Sequence, residues 1–220
     1  MLTEKKKEFI QFMLSAEVLR FGQFVTKSGR NTQYFVNTGL YRTGAQLSRL
    51  GSYYAGLVNE TLGSGFDAMF GPAYKGIPLA AACASALWQN HQIDKPYFFN
   101  RKEAKDHGEG GLTVGYQPKD GDKIIIIEDV ITAGTAVRES MSILGACGDV
   151  QITDVFISVD RCEVGHTPGK TAIMEVEEEF GLKVHPIITV VDVHEYLKEH
   201  GDSELVKAME GYMEQYCVLG

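Results

Sequence analysis

Residues 124–136 read Ile124-Ile125-Ile126-Ile127-Glu128-Asp129-Val130-Ile131-Thr132-Ala133-Gly134-Thr135-Ala136, and they are the part of the chain most informative about its fold. Four consecutive isoleucines predict a strand that is buried on both faces, as the central strands of parallel sheets are. Two acids end this strand, and a short loop of small residues leads into a predicted helix at Thr135–Gly145. Ligands of open α/β sheets bind at the carboxyl ends of the strands, so we expect the acids and the loop to face a ligand.

The loop after the acids has the properties of a phosphate-binding site. Its backbone amides and the free N–H groups of the following helix can surround an anion. Thr132 and Thr135 add hydroxyl donors, and Gly134 allows a ligand to approach the backbone closely. We therefore assign phosphate binding to Val130, Ile131, Thr132, Ala133, Gly134, Thr135 and Ala136.

The two acids need a different partner, because carboxylates beside a phosphate would repel it. Ribose hydroxyls or a magnesium ion would explain Glu128 and Asp129, since both favour carboxylate oxygens. A Walker A loop is excluded by the lack of a lysine, and a Rossmann fingerprint by the presence of one glycine instead of three. The structural alternative is an ordinary strand–turn–helix whose acids complement the helix dipole.

The rest of the chain alternates between predicted strands and helices, which indicates a single α/β domain with a mainly parallel central sheet flanked by helices. The predicted strands are Asp67–Phe70, Pro96–Phe99, Thr153–Val159 and Pro186–Val191, and the predicted helices include Gln46–Leu62, Gly76–Asn90 and a polar tail at 202–217. Residues 1–65 lack this alternation, with a predicted helix at 3–21 and a short strand at Tyr34–Val36. We expect them to form a small N-terminal subdomain on a core domain at 66–220.

Composition limits the classes of function. The chain has 220 residues, 44% of them hydrophobic and 23% charged, as is ordinary for a globular domain. Its formal net charge of −8 disfavours a nucleic-acid-binding surface. The N-terminus is too charged for a signal peptide, and no apolar run approaches the roughly 18 residues of a membrane span. The four cysteines are far apart in the sequence and form no C-x-x-C pair. We expect a cytoplasmic protein with reduced thiols and no membrane or nucleic-acid partner.

Residues 124–136 resemble the phosphoribosylpyrophosphate-binding motif of the type I phosphoribosyltransferases, which is an apolar strand, two acids and a T-x-G-T loop. The resemblance implies that the acids hold the ribose 2′ and 3′ hydroxyls and that the loop holds the 5′-phosphate. Many members have two aspartates where this chain has Glu128 and Asp129. The ribose assignment therefore depends mainly on Asp129.

Two further segments resemble the orotate-specific branch of that family. Lys27-Ser28-Gly29-Arg30 is followed by Tyr34-Phe35-Val36-Asn37, and the resemblance places Lys27 between substrate and pyrophosphate, with Phe35 and Val36 beside the orotate ring. Gly71-Pro72-Ala73-Tyr74-Lys75-Gly76-Ile77-Pro78 matches the pyrophosphate loop, whose contact residues correspond to Tyr74 and Lys75. The structural alternatives are a basic surface turn before an aromatic core residue and a plain β–α turn with an exposed lysine.

Two more segments match the same branch. Residues 100–111, Asn-Arg-Lys-Glu-Ala-Lys-Asp-His-Gly-Glu-Gly-Gly, resemble a loop that closes over the active site of the neighbouring subunit and brings Arg101, Lys102, Lys105 and His107 to the pyrophosphate. Ser158-Val159-Asp160-Arg161-Cys162-Glu163 resembles the segment whose arginine contacts the orotate ring, here Arg161. The alternatives are a mobile loop of balanced charge and a surface arginine paired with Asp160 or Glu163.

The resemblance implies a glycosyltransferase of pyrimidine (UMP) biosynthesis that joins orotate to phosphoribosylpyrophosphate, giving orotidine 5′-monophosphate and pyrophosphate. The implied catalytic residues are Lys102, Lys105, His107 and Asp129. Mg²⁺ would bind mainly through phosphoribosylpyrophosphate and water, with no all-protein metal site. The implied assembly is a homodimer that shares the 100–115 loop. The alternatives are a purine or uracil phosphoribosyltransferase, a regulatory sensor of the sugar pyrophosphate, and a component that associates with orotidylate decarboxylase.

Overall fold

The computed structural model describes residues 2–25, 29, 31–102 and 112–219. Within those ranges the strands are β1 Leu19–Val25, β2 Asn31–Val36, β3 Ala68–Gly71, β4 Tyr97–Asn100, β5 Thr113–Gly115, β6 Lys123–Ile127, β7 Gln151–Asp160 and β8 Lys183–Thr189. The α-helices are α1 Glu4–Ser15, α2 Gly44–Leu62, α3 Gly76–His91, α4 Thr135–Gly145, α5 Ala172–Phe180, α6 Val190–His200 and α7 Ser203–Tyr216. A 3₁₀ turn at Thr38–Leu40 joins β2 to α2.

The main sheet has the strand order β5-β4-β3-β6-β7-β8. Its strands pair in parallel except β5, which runs antiparallel to β4 at one edge. The predicted α/β class with a mainly parallel sheet is confirmed. The separate pair β1–β2 is an antiparallel hairpin in the N-terminal part of the chain.

The isoleucine strand β6 lies between β3 and β7 and is buried on both faces, as predicted. Ile125 and Ile127 belong to the hydrophobic cluster that includes residues of α1, α2 and α3. Ile124 and Ile126 belong to the opposite cluster, which includes residues of α4 and α5. All four are fully buried, and each contributes roughly 1.5–3 kcal/mol of transfer free energy. Alternate side chains of a strand point to opposite faces, so this one strand holds both helical layers.

The predicted helix at 3–21 was wrong in its last six residues. Phe9, Ile10 and Met13 pack at helical spacing, but α1 ends at Ser15. Glu17 then adopts a φ of +58°, which ends the helical path, and the chain enters β1 at Leu19. The local apolar spacing continues past the turn, so spacing alone could not locate this break.

Two other predicted boundaries also change. The strand predicted at Pro186–Val191 is β8, and it ends at Thr189, where α6 begins. Thr189 and Asp192 form a capping box that starts this helix, which the sequence analysis did not separate from the strand. The polar segment 100–115 contains the short edge strand β5, which completes the sheet by pairing with β4.

The N-terminal region packs on the sheet and shares its core. Phe9, Leu19 and Tyr34 belong to the same hydrophobic cluster as Ile125 and Ile127. Within the described ranges, no helix combines the length and the apolar character that crossing a membrane requires.

Close packing of α2 on α3 depends on Gly51. A Cβ at this position would lie 2.6 Å from the carbonyl oxygen of Ala82 in α3. On the same helix, Gly56 has nothing within 4 Å of its Cβ position. Alanine substitutions at the two glycines therefore form a matched pair. Both would gain helix propensity, but only the one at Gly51 would create a steric conflict.

We expect Gly51→Ala to lower the free energy of unfolding by about 1–3 kcal/mol, because the added methyl overpacks the contact with α3. Gly56→Ala should raise it by roughly 1 kcal/mol through helix propensity. Urea denaturation of both variants measures the difference. Equal effects of the two substitutions would show that the α2–α3 contact does not require glycine.

Candidate active site

The loops that follow β3 and β6 meet at the carboxyl-terminal edge of the sheet. They are residues 71–75 after β3 and residues 128–134 after β6. Residues 160–163, at and just after the end of β7, lie beside the 128–134 loop. The 71–75 loop can approach the end of β6 because residue 76 is a glycine. A Cβ added at Gly76 would lie 2.9 Å from the Ile127 carbonyl oxygen and 2.5 Å from Pro72 Cδ. The fold thus brings together side chains that are far apart in the sequence.

The acids at the end of β6 are both buried, with Glu128 7% and Asp129 6% exposed. The backbone N–H of Asp129 donates to Glu128 Oε1 at 2.8 Å, and the N–H of Val130 donates to Asp129 Oδ1 at 2.8 Å. Two hydroxyls hold the backbone from other elements. Tyr54 of α2 donates to the Glu128 carbonyl at 2.7 Å, and Ser158 of β7 donates to the Asp129 carbonyl at 2.6 Å.

Lys75 and Asp129 connect the two loops. Lys75 Nζ lies 2.7 Å from Asp129 Oδ2, and Thr38 Oγ1 donates to the same oxygen at 2.7 Å. The alternative in which Lys75 is only an exposed lysine on a turn is therefore incomplete, since its head group pairs with a buried carboxylate. Thr38 comes from the 3₁₀ turn after β2 and was missed in the sequence, where a lone threonine carries no signal.

The two acids have opposite pKa shifts. Burial, with the negative charge of Asp129, raises the pKa of Glu128 to about 8, against the hydrogen bond from the Asp129 amide. Burial also opposes the charge of Asp129, but hydrogen bonds from Lys75 and Thr38 outweigh it and lower the pKa of Asp129. Near neutral pH the pair therefore carries one main negative charge, on Asp129, balanced by Lys75.

Two helices begin at this edge, α3 after the first loop and α4 after the second. Their N-cap residues are Lys75 and Gly134, and neither makes a side-chain capping bond with any described residue. The other described α-helices have capping side chains, namely Thr3, Thr43, Thr171, Thr189 and Asp202. Uncapped N–H groups at a helix start bind anions. The site therefore offers two places for negatively charged groups.

The residues predicted to bind phosphate form the turn between β6 and α4 and the first residues of α4. Val130 pairs with Val159, Ile131 is buried in the core, and Thr132, Thr135 and Ala136 are exposed. The Ala133 carbonyl accepts a hydrogen bond from Arg138. Gly134 has a φ of +73°, and a Cβ there would lie 2.7 Å from Val176 Cγ2. Glycine is thus required both by backbone conformation and by the contact with α5.

The residues predicted for the base lie on β2 and after β7. Phe35 is 40% exposed and stacks on Phe24 with ring centroids 5.5 Å apart. Val36 is half-buried against the core. The Arg161 side chain is 14% exposed and its Nη2 lies 2.7 Å from Glu163 Oε1. Arg161 is thus paired with Glu163, as the structural alternative proposed, but it is largely enclosed and is not a surface arginine.

The residues predicted for pyrophosphate are only partly described. Tyr74 is 71% exposed, and Lys102 Nζ lies 6.0 Å from the centroid of its ring. Arg101 continues from β4, and its N–H donates to the Leu112 carbonyl at 2.8 Å. Lys27, Lys105 and His107 lie outside the described residues.

Asn100, at the end of β4, is another residue that the sequence analysis missed. It is 6% exposed, and its Oδ1 accepts a hydrogen bond from the Ala73 N–H at 2.7 Å. The sequence shows only an asparagine at the start of a polar segment, and its partner Ala73 lies 27 residues away. Asn100 fixes the 71–75 loop that carries Lys75.

A cavity of about 350 Å³ opens beside Asp129 and Lys75. Its walls include Thr38, the start of α2 at Thr43 and Gly44, and the first turn of α3 at Pro78 and Leu79. The cavity therefore lies beside Asp129, its cation Lys75 and the uncapped start of α3.

Comparison with known families gives the class of protein that has this arrangement. The family described as "Phosphoribosyl transferase domain" matches residues 39–159, which include the cavity walls apart from Thr38, both loops and β7 up to Val159. By class, the chain is a phosphoribosyltransferase.

Individual relatives narrow the assignment. The chain is 48% identical to the orotate phosphoribosyltransferase of Lachnoclostridium phytofermentans, with 99% of each chain covered. It is 51% identical to that of Thioalkalivibrio sulfidiphilus, covering 97% of this chain and 98% of the relative. The crystal structure of the Francisella tularensis orotate phosphoribosyltransferase is 38% identical, with a TM-score of 0.87 and coverage of 96% and 99%. The chain belongs to the orotate phosphoribosyltransferase family.

The raised pKa of Glu128 predicts a pH-dependent stability. Between about pH 4.5 and 8 the folded protein keeps a proton that the unfolded chain releases, so unfolding becomes easier as the pH rises. Glu128→Gln removes this dependence, and its stability relative to the native chain should rise by up to about 1.4 kcal/mol per pH unit across that window. Urea denaturation at several pH values measures it.

Glu139→Gln is the matched control, because it removes an exposed carboxyl from α4. Its stability relative to the native chain should stay nearly constant with pH. A constant difference for Glu128→Gln as well would show that Glu128 is ionised in the folded protein.

Proposed function

We propose that this protein transfers the 5-phosphoribosyl group of phosphoribosylpyrophosphate to orotate, giving orotidine 5′-monophosphate and pyrophosphate. The observation that carries the proposal is an ion pair between two loops that each lead into an uncapped helix N-terminus. Lys75 is the N-cap residue of α3, and Asp129 lies in the loop before α4. A substrate with a phosphate at one end, a pyrophosphate at the other and a ribose diol between them offers a partner to each of these groups.

Each part of the donor has a matching feature. The 5′-phosphate fits the loop at 130–136 and the start of α4, where Gly134 supplies the positive-φ turn that leads into the helix. The pyrophosphate fits the start of α3, with Lys75 and Tyr74 from the same loop. The ribose hydroxyls fit Asp129, which exchanges its contacts with Lys75 and Thr38 for contacts with the diol. Glu128, protonated near neutral pH, can donate a hydrogen bond to a ribose oxygen.

The base is assigned to the side of the site formed by β2 and the end of β7. Orotate carries a carboxylate, and an enzyme that selects it over neutral bases must offer a cation. Lys27 and Arg161 are the proposed cations, with Phe35 and Val36 against the ring. Residues 1–65 thus contribute to the base site, while the core domain at 66–220 binds the sugar and its phosphates.

The reaction breaks the bond between ribose C1 and the pyrophosphate oxygen and forms a bond from C1 to a ring nitrogen of orotate, which releases its N–H proton to solvent as that bond forms. The sugar becomes positive in the transition state, and the leaving group gains negative charge. Lys75, together with Arg101, Lys102, Lys105 and His107, neutralises that leaving group, while Asp129 orients the ribose. No nucleophilic side chain is required.

Magnesium fits this chemistry. The carboxylate of Asp129 is the kind of hard oxygen ligand that Mg²⁺ prefers, and Mg²⁺ usually retains substrate oxygens and water as well. It would be held mainly by phosphoribosylpyrophosphate, and when bound it would supply positive charge to the pyrophosphate.

The proposed assembly is a homodimer in which each subunit lends its 100–115 segment to the neighbouring site. Large apolar side chains are exposed on α3, at the start of β4 and just before β5. Trp88 of α3 is 52% exposed, Tyr97 of β4 40% and Leu112 45%. Such side chains favour a protein partner over water. We place the dimer in the cytoplasm, with no nucleic-acid or membrane partner.

The first experiment follows the ultraviolet absorbance of orotate with phosphoribosylpyrophosphate and Mg²⁺ present together or each left out. Orotate should disappear only when both are present. Consumption of uracil or a purine while orotate persists would overturn the base assignment and the roles of Lys27 and Arg161. Binding of the sugar pyrophosphate without reaction of any base would favour a sensor.

Sharing of the 100–115 segment predicts complementation between inactive variants. Lys105→Ala should lower turnover by damaging neutralisation of pyrophosphate, and Asp129→Asn by weakening ribose binding. After subunit exchange, half of the dimers are mixed and each has one intact site, so roughly a quarter of the wild-type activity should return.

Asp129→Asn mixed with Gly134→Val is the control, because both changes affect residues that one subunit contributes to the same site. That mixture should remain inactive. Lack of recovery with Lys105→Ala, when native electrophoresis or mass spectrometry shows mixed dimers, would mean that each subunit uses its own loop.

A further inference from the structure

Arg161 is held by contacts from three separate elements. Its Nε donates to Glu163 Oε1 at 2.8 Å, and its Nη2 lies 2.7 Å from the same oxygen. Nη2 also donates to the Tyr212 hydroxyl at 3.2 Å, and the guanidinium carbon lies 4.6 Å from the centroid of the Tyr34 ring. These contacts come from the segment after β7, from α7 and from β2.

Tyr212 completes this cluster from the C-terminal helix. It is 3% exposed, and its hydroxyl donates to Glu163 Oε1 while accepting from Arg161. Its ring meets the Tyr34 ring edge to face, with centroids 5.8 Å apart. Burial raises the pKa of the Tyr212 phenol, so the hydroxyl remains a donor throughout the physiological pH range.

The groups that hold Arg161 in place also keep its guanidinium charged. Burial disfavours a charged guanidinium, but Tyr34, Tyr212 and Glu163 outweigh it and raise the pKa of Arg161. Nη1 takes part in none of the contacts described above. With respect to the described residues, the Nη1 N–H donors are therefore available to a ligand, at a position that the other contacts determine.

Fixing this side chain before substrate arrives has a thermodynamic consequence. Arginine loses much rotamer freedom when it is ordered, and a ligand that must order it binds more weakly. In this protein that cost is met during folding, because Glu163 and Tyr212 already hold the guanidinium. Because the guanidinium is planar and its donors form a rigid fork, fixing the group also fixes the direction in which its free donors point.

We propose that Tyr212 and Glu163 are positioning residues for base selection, so that the C-terminal helix takes part in substrate specificity by fixing Arg161 against Tyr34. This inference rests on the proposed function, in which Arg161 recognises orotate. It deepens that function by assigning specificity to a helix that supplies none of the residues proposed to touch substrate.

Tyr212→Phe is the direct test, because it removes the hydroxyl and keeps the ring on Tyr34. Loss of a hydrogen bond to a charged group should raise the KM for orotate roughly tenfold. The KM for phosphoribosylpyrophosphate should change less than about twofold, since the contacts at Lys75 and Asp129 remain. The ratio of kcat/KM for orotate to that for uracil should fall.

Tyr196→Phe is the matched control. It deletes the hydroxyl of another largely buried tyrosine, on α6, outside the Arg161 cluster. It should leave both KM values unchanged. Melting temperatures of all variants identify any that unfold under assay conditions, and Glu163→Gln then replaces Tyr212→Phe in the test.

A double-mutant cycle separates positioning from general stability. In an Arg161→Lys background, Tyr212→Phe should change the orotate KM less than about twofold, because the fork that it positions is gone. An undiminished effect in that background, or equal increases in both KM values, would overturn the inference. Wild-type protein that fails to use orotate would instead overturn the proposed function.

Discussion

Burial of β6 on both faces is the constraint on which the rest of the structure depends. Ile125 and Ile127 pack with α1, α2 and α3, while Ile124 and Ile126 pack with α4 and α5. A strand used in this way must lie inside the sheet, with β3 and β7 as its neighbours. The loops after β3 and β6 then meet at one edge, with the segment after β7 beside them, and the site follows from that meeting.

The charged groups at this edge are buried, and each has a partner that makes burial tolerable. Asp129 has Lys75 and Thr38, Glu128 keeps its proton near neutral pH, and Arg161 has Glu163. An unpartnered buried charge would cost several kcal/mol, so these pairs are a condition of folding as well as of binding. They also show how a chain with a net charge of −8 can bind an anionic substrate. Two positive groups, Lys75 and Arg161, lie at this edge of the sheet.

Residues outside the binding loops fix the geometry of these groups. Tyr54 and Ser158 hold the backbone of the two acids, and Asn100 holds the 71–75 loop through the Ala73 N–H. Tyr212 does the same for Arg161 from the C-terminal helix. Preorganised sites need such support, because a displacement of about 1 Å in a catalytic group can lower the reaction rate by about 100-fold. The supporting residues come from α2, β4, β7 and α7, so the whole domain contributes to the site.

The sequence by itself determined the α/β class, the buried central strand and the turn that leads from β6 into α4, because local residue pattern dictates each of them. Four β-branched residues require a buried strand, and Gly134 with its neighbours requires a tight turn before a helix. Only the tertiary structure decided that α1 ends at Ser15, that Lys75 meets Asp129, and that Tyr212 holds Arg161. Those outcomes depend on contacts between segments separated by dozens of residues, and local spacing carries no information about which distant side chain will be the partner.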